Sequence, residues 1–222
     1  MTPSLVQWNT VVTATHFNPS IFSQLWLVRN RIVLEAEFAP GQGTILTDDL
    51  VQVMATDFTL LVLRDQMQIA PKLQPAQCGK LVQERIGAVV TALPHTPYRA
   101  AGTNFVWHID PGLSPLRPIT RRYFSGNCQV YKAFNEENAH FGAYLSKDVT
   151  GGARLKLDIK PVALRLPDNT PAERLQLAFN FNHDLDPEKA TEQIQDLLSR
   201  WDFFLRIAQE LTNEVVADAN RS

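Results

Sequence analysis

The chain has 222 residues, of which 45% are hydrophobic and 20% are charged, and its formal net charge is −2. This composition excludes a disordered chain and is sufficient for a sizeable core in one large domain or two small ones. The slightly acidic balance argues against general binding to nucleic acids or anionic membranes, because such partners select a surplus of basic residues or a basic face.

The sequence contains no segment that predicts membrane insertion or export. Its apolar runs fall well short of the roughly 18–20 residues of a membrane helix. The first residues, Met1 to Ser4, lack the basic and apolar regions of a signal peptide, so none is expected. The two cysteines, Cys78 and Cys128, lack metal-type spacing and are typical of reduced thiols. We therefore expect a cytoplasmic protein without a membrane partner.

Short β-type segments dominate the first 70 residues. Runs of β-branched and aromatic residues predict strands at 5–15, 32–38, 50–54, 58–63 and 66–70. Residues 21–28 are too few for their period to distinguish a helix from a strand. Turn signals such as Pro40-Gly41 and Arg64-Asp65 separate the runs, so this half is expected to be mainly an antiparallel meander.

A helix and a strand follow the meander. Apolar residues recur every three or four positions as far as Leu93, which predicts a helix over 76–93 that packs on the sheet. Residues 98–109 alternate strictly between two faces, so we expect a strand that is central in the sheet. The small residues around Gly102 allow close approach of either a ligand or the helix, and packing of the helix is the preferred interpretation.

The second half predicts three more strands. They are expected over 141–145, over 154–166 with a kink or an end near Pro161, and over 175–181. The turn signal Thr150-Gly151-Gly152 joins the first two in a hairpin.

One long helix is predicted to close the chain. Asp186 suits the N-cap and Pro187 the first helical position, and an apolar stripe from Ile194 to Val215 predicts a helix over 187–216. Its apolar surface is wider than one sheet face requires.

These elements predict an α+β fold in which mainly antiparallel sheets pack against two long helices. A strand followed by a helix occurs once in each half, which suggests pseudo-duplicated halves over 1–110 and 119–222. The Pro-rich segment 111–118 would connect them. A single continuous domain is the alternative.

Two histidines are the best candidates for a ligand site. His108 and His183 each lie at or near a strand end and precede acidic residues, Asp110 and Asp186 among them. Imidazole and carboxylate groups bind first-row metals. His-x-Asp is common by chance, however, and Asp186 is explained as an N-cap, so no metal site is predicted. An apolar pocket between sheet and helix, lined by Trp107 and the two histidines, would instead bind a small molecule.

Motifs for nucleophilic or nucleotide-dependent chemistry are missing from the sequence. It contains neither a Gly-x-Ser-x-Gly elbow nor a Walker Gly-Lys-Ser/Thr motif. The nearest approaches are Cys128 with His140 downstream, and Gly41-Gln42-Gly43, which is too short for a dinucleotide fingerprint. A lone cysteine is more often a packing residue. We therefore predict no cofactor and assign no catalytic residue.

The apolar surplus on the last helix predicts an interaction surface. It comprises Trp201, Phe203, Phe204 and Ile207, which the other half of the chain or a second subunit must cover. We hypothesise a non-enzymatic protein-interaction or assembly protein that oligomerises or binds a protein partner through this helix.

Two alternatives remain open. One is a small-molecule-binding protein or enzyme with the pocket near His108 and His183. The other is nucleic-acid binding through basic residues such as Arg117, Arg121 and Arg122, which ranks last because the chain is not basic overall. Three arginines near a Pro-rich connection are more often exposed surface residues.

Overall fold

A computed structural model gives the structure and describes residues 1–38, 43–112, 115–126, 129–134, 136 and 138–220. Within these residues, nine strands form one antiparallel sheet: β1 (Thr2–Ala14), β2 (Ile45–Leu46), β3 (Val51–Met54), β4 (Phe58–Val62), β5 (Gln66–Pro71), β6 (Tyr98–Asp110), β7 (Ala143–Val149), β8 (Ala153–Arg165) and β9 (Pro171–Asp184). The α-helices are α1 (Gln24–Arg29), α2 (Pro75–Ala92), α3 (Leu116–Phe124), α4 (Ala190–Ser199) and α5 (Trp201–Asn220), and short 3-10 helices lie at Pro19–Ile21, Glu35–Glu37 and Gln129–Phe134. The predicted α+β fold with a mainly antiparallel sheet is confirmed.

The strands are ordered β2-β3-β4-β5-β1-β6-β9-β8-β7 across the sheet. Strands β3, β4 and β5 correspond to the last three predicted strands of the meander, β2 adds a short strand that was not predicted, and β6 is an interior strand, as predicted. It pairs with β9 from Ala100 opposite Asp184 to Ile109 opposite Leu175. Strands from the halves before and after 111–118 therefore belong to one sheet. The suggested duplication of the halves stays unconfirmed.

Alternation along the strands gives the sheet a helix-covered face and an open face. On β6, Phe105 and Trp107 are buried on the helix-covered face, whereas Asn104 and Val106 are half-buried on the open face. Helix α5 contacts β1, β6 and β9, α2 contacts β5, and α4 contacts α2 and β6. The hydrophobic core is therefore one layer between the sheet and its helices.

The prediction of a strand over residues 32–38 is wrong, because the segment turns and forms the 3-10 helix Glu35–Glu37. The Glu37 carboxylate explains the turn. Its Oε2 accepts the Leu34 N–H at 2.6 Å, and its Oε1 pairs with Arg85 of α2 at 3.0 Å. A tertiary ion pair thus stabilises a local conformation that alternation along the chain cannot reveal. The neighbouring segment 21–28, left open between helix and strand, contains most of α1.

The single helix predicted over 187–216 is two helices. α4 begins at Ala190, later than predicted, and a turn over 187–189 precedes it, in which the Asp186 carboxylate accepts the N–H of Glu188 at 3.0 Å. The helix is interrupted at Arg200, between α4 and α5, although the sequence has no glycine or proline there. The Arg200 guanidinium donates to the Thr150 carbonyl at 3.1 Å and so links the break to the β7–β8 turn.

Strand β8 continues through Pro161, where the sequence predicted a kink or an end. Strand β7 covers β8 only as far as Ile159, which lies opposite Ala143. Pro161 therefore occupies a part of β8 that has a neighbouring strand on one side. Such an edge position tolerates the missing N–H of a proline.

The first residue of β6, Tyr98, is a buried phenol. Its O–H donates to the Leu93 carbonyl at 3.1 Å, at the end of α2. Burial raises the pKa of Tyr98 to about 12, against a smaller opposing effect of a hydrogen bond with Thr96. An unfolded tyrosine ionises near pH 10. The contribution of the protonated phenol to stability is therefore complete below about pH 10 and is lost as the pH rises through about 12.

The substitution Tyr98→Phe is expected to lower the free energy of unfolding by about 1 kcal/mol at pH 7, because the Leu93 carbonyl loses its donor. This deficit relative to the parent protein should shrink between about pH 10 and pH 12, since only the parent loses stability by ionising the phenol. Urea unfolding of both proteins across this range measures the difference. Tyr131→Phe, at a half-exposed phenol outside β7, is the control and should show no such trend. A deficit for Tyr98→Phe that stays constant with pH would contradict this account.

Candidate functional site

Strand β7 is one edge of the sheet. It pairs with β8 from Ala143 opposite Ile159 to Val149 opposite Ala153, without a register shift. In the part of the chain that the structure describes, no strand lies on its other side. Every second residue of such an edge directs its N–H and C=O outward, where they can pair with another chain.

Strand β7 also exposes large apolar side chains. Tyr144 is 66% exposed and Leu145 is 54% exposed, and they point to opposite faces because neighbours in a strand alternate. Leu145 borders an apolar groove of about 250 Å³ between β7 and α5. The groove is lined by Leu145, Ser146, Lys147, Leu155, Leu157 and Leu211. An added strand could therefore pair its backbone with β7 and place a side chain in the groove.

Other margins of the sheet are better protected against pairing. Strand β2, at the opposite end of the sheet, has only two residues. The part of β8 beyond β7 carries Pro161. Short strands and prolines are devices that blunt a sheet edge. Strand β7 has seven residues without a proline, and Lys147 is its single basic residue.

A row of amide side chains crosses the open face. Asn104 of β6 donates from Nδ2 to Oδ1 of Asn9 on β1 at 2.7 Å, and its Oδ1 accepts Nδ2 of Asn180 on β9 at 2.7 Å. A shallow groove of about 400 Å³ lies over this row, with Lys156 and Asp158 in its lining. Because the amides bond to one another, the row links the side chains of three central strands and stabilises their register.

The structure does not bring the three predicted pocket residues together. Trp107 is buried on the helix-covered face, whereas His108 lies on the open face with its Nε2 at 3.3 Å from Oε1 of Gln176. His183 is on the helix-covered face opposite Ala101, seven positions along β6 from His108. This spacing corresponds to about 24 Å along a strand. The two histidines therefore lie far apart and on opposite faces, and cannot line one pocket.

Metal ligands do not converge either. Among the described residues, no three His, Cys, Asp or Glu side chains are grouped so that they could hold a metal ion. Asp110, which follows His108, instead pairs with Arg174 at 2.9 Å.

The cysteine chemistry considered from the sequence gains no support. Cys78 is buried near the start of α2, and its thiol donates to the Gln74 carbonyl at 3.3 Å. Burial, the largest effect, raises the pKa of Cys78, which lowers the fraction of reactive thiolate. Cys128, of the suggested pair with His140, lies outside the described residues, as does the turn predicted at Pro40-Gly41.

Two of the four predicted interface residues are core residues. Trp201 and Phe204 are each 1% exposed, because the helix-covered face of the sheet packs on them. The Trp201 ring lies 5.1 Å from Phe105, and the Phe204 ring stacks 4.6 Å from Phe181. Phe203 and Ile207 are half-buried at the border of this layer.

The arginines considered for nucleic-acid binding lie on α3. The Arg121 guanidinium donates to the Glu136 carbonyl at 2.6 Å and lies 5.4 Å from the Phe141 ring centroid. Arg121 therefore contacts the segment that leads into β7. Arg122 is exposed.

Sequence reasoning missed Tyr144 and Leu145 as site residues, although it placed both in a strand. Consecutive large apolar residues put one on each face of a strand. If the strand were interior, the side chain on the open face would still be exposed. The pair of large apolar residues was visible in the sequence, but it indicates an edge only when the strand order is known.

The described part of the chain contains no helix that is both long and apolar enough to cross a membrane. Its most distinctive surface is the β7 edge, which combines outward backbone groups, exposed apolar side chains and an adjoining groove. The chain matches no protein-family model, no curated protein and no solved structure.

Proposed function

We propose that this chain is a non-enzymatic, cytoplasmic protein-interaction or assembly protein that associates through the β7 edge and the adjoining part of α5. The observation that carries the proposal is the exposed seven-residue strand β7 beside an apolar groove. A sheet edge with exposed apolar residues promotes association with other chains. The exposure of Tyr144 and Leu145 therefore favours a role in binding.

The C-terminal helix contributes to this surface through Leu211. This residue of α5 lines the groove together with Leu155 and Leu157 of β8. A strand added to β7 would direct every second side chain to the helix-covered side, towards these leucines. The proposed contact thus uses the middle of α5 rather than its first residues, of which Trp201 and Phe204 are buried.

The alternative of a small-molecule site near the histidines has less support. His108 and His183 lie on opposite faces of the sheet, so no single cavity receives both. Ligand pockets need polar groups that converge on one concave space.

Site-specific photo-crosslinking in the cells that make the protein tests the proposal. With a photoreactive phenylalanine analogue in place of Leu145, we expect discrete covalent adducts heavier than the 25.0 kDa chain. The matched control places the analogue at Leu25, which is 77% exposed on α1 and away from the edge. We expect no discrete adduct from that position. The absence of adducts at position 145, or the same adducts at both positions, overturns the proposal.

A further inference from the structure

We infer that the partner at the β7 edge is a second copy of this chain, and that the two β7 strands pair antiparallel around Ser146. The two sheets would then form one continuous sheet. This inference rests on the proposed function and adds the identity of the partner and the register of the contact. Its basis is the sequence of β7, which suits pairing with itself in one register.

Symmetry limits how two copies of β7 can pair. A twofold axis perpendicular to the sheet relates two antiparallel edge strands within one sheet. It keeps the helix-covered faces of both copies on the same side, so that each residue lies opposite a residue of the same face. With the axis at Ser146, the middle residue of Ala143–Val149, all seven residues of each strand are paired.

The residue pairs in this register are compatible on both faces. On the open face, Tyr144 lies opposite the copy's Asp148, where its O–H can donate to the carboxylate. On the helix-covered face, Leu145 lies opposite the copy's Lys147, whose alkyl stem can pack on the leucine while its ammonium reaches water. No residue therefore lies opposite a like charge.

Shifted registers are less favourable. An axis at Lys147 or at Asp148 would place two like charges directly opposite each other, which destabilises a strand pair. An axis at Leu145 would leave Asp148 and Val149 opposite residues that precede the strand. The charges and the length of β7 therefore select Ser146 as the centre.

The apolar groove complements this register. The copy's Leu145 lies on the helix-covered face opposite Lys147, one of the groove's lining residues, and Lys147 in turn lies opposite Leu155 of β8. The copy's Lys147 stem would cover Leu145, which is 54% exposed in the single chain, and would so remove apolar surface from water in each copy. Pairing cannot extend along β8, where Pro161 blunts the margin. An interface of seven residue pairs is small, so we expect a dissociation constant on the order of micromolar.

Sedimentation equilibrium of the purified chain tests the inference. We expect a dimer of twice the 25.0 kDa chain mass at concentrations of tens of micromolar. Ser146→Lys should raise the dimer dissociation constant at least about tenfold, because the two new ammonium groups face each other across the axis. Ala163→Lys is the matched control: it adds the same charge at an exposed residue of β8, on the same margin but outside β7, and should leave the dimer intact.

Engineered cysteines test the register, with Cys128→Ser as the common background. Under mild oxidation, Ser146→Cys should form a disulfide between copies, because the Cα atoms of directly opposite residues lie about 4.5–5.5 Å apart, within the range of a disulfide. Tyr144→Cys should not link to itself, since the two copies of this residue lie four positions apart along the strands, or about 14 Å. A mixture of Tyr144→Cys and Asp148→Cys chains should form a mixed disulfide.

The outcomes of these experiments distinguish the second-copy inference from the proposed function. A dimer that depends on Ser146 and forms these disulfides supports the inference. A parent chain that is monomeric at tens of micromolar, or a dimer indifferent to Ser146→Lys, overturns it. If the photo-adduct at position 145 contains a different protein, the second-copy inference fails while the proposed function stands. If no adduct forms there, both fail.

Discussion

The substitution Trp201→Ala is expected to lower the free energy of unfolding by about 3–5 kcal/mol, the range for removing a buried tryptophan or phenylalanine. Trp201 begins α5, is 1% exposed and packs its ring against Phe105 in the middle of the sheet. Alanine would leave a cavity beneath the break between α4 and α5. The break itself keeps this region from closing, because Arg200 is held by the β7–β8 turn.

Urea unfolding followed by circular dichroism measures this loss. Phe203→Ala is the matched control, because Phe203 is two residues away and half-buried, with Arg206 at 5.6 Å from its ring centroid. Its cost should be about 1 kcal/mol, since less surface is lost from the core. If Trp201→Ala kept its stability but abolished association, the tryptophan would be an interface residue, as the sequence suggested, and the packing account would be wrong.

The substitution Asn104→Leu is expected to destabilise the protein by about 2–3 kcal/mol, because it removes both hydrogen bonds of the central amide. Oδ1 of Asn9 would lose its donor and Nδ2 of Asn180 its acceptor. Asn9 is itself buried, so water replaces the lost bond poorly. Leucine has nearly the same size, and the loss therefore reports the hydrogen bonds rather than a cavity.

Gln176→Leu is the matched control on the same face. This amide is bonded only weakly, with its Oε1 at 3.3 Å from Nε2 of His108. We expect a loss of about 0.5 kcal/mol, measured by the same urea titration. Amide hydrogen exchange should also rise in β1, β6 and β9 of Asn104→Leu. Equal losses for the two substitutions would show that the row adds no stability of its own.

The amide row and the β7 edge are both consequences of a wide sheet with helices on one face. The row lies over interior strands, where the side chains of three neighbours can reach one another. The edge lies where the strand order ends. Variants of the row should therefore affect the stability of the single chain, whereas the exposed Ser146 of β7 should affect association.

The strands and helices with a strong period were predictable from the sequence. Strict alternation over 98–109 and 175–181 identified β6 and β9, because each has one face in the core. The recurrence of apolar residues at helical spacing identified α2 for the same reason. Composition and these periods were sufficient for the α+β class.

Elements that depend on a distant residue were not predictable in this way. The turn at Glu35–Glu37 requires Arg85 of α2, and the break at Arg200 involves the Thr150 carbonyl. The apolar surplus around Trp201 was recognised, and its cover was left open between the other half of the chain and a second subunit. Phe105 and Phe181 of the sheet cover Trp201 and Phe204.

By itself, the sequence determined the elements that have a strong period, such as α2, β6 and β9, and which side of each is apolar, because local periods and propensities depend on neighbours along the chain. Only the tertiary structure decided the order of the strands. That order places His108 and His183 on opposite faces, Trp201 in the core and Leu145 at an edge. Strand order depends on pairings between residues far apart along the chain, which no local pattern encodes. The candidate site, an edge, therefore exists only at the level of the whole sheet.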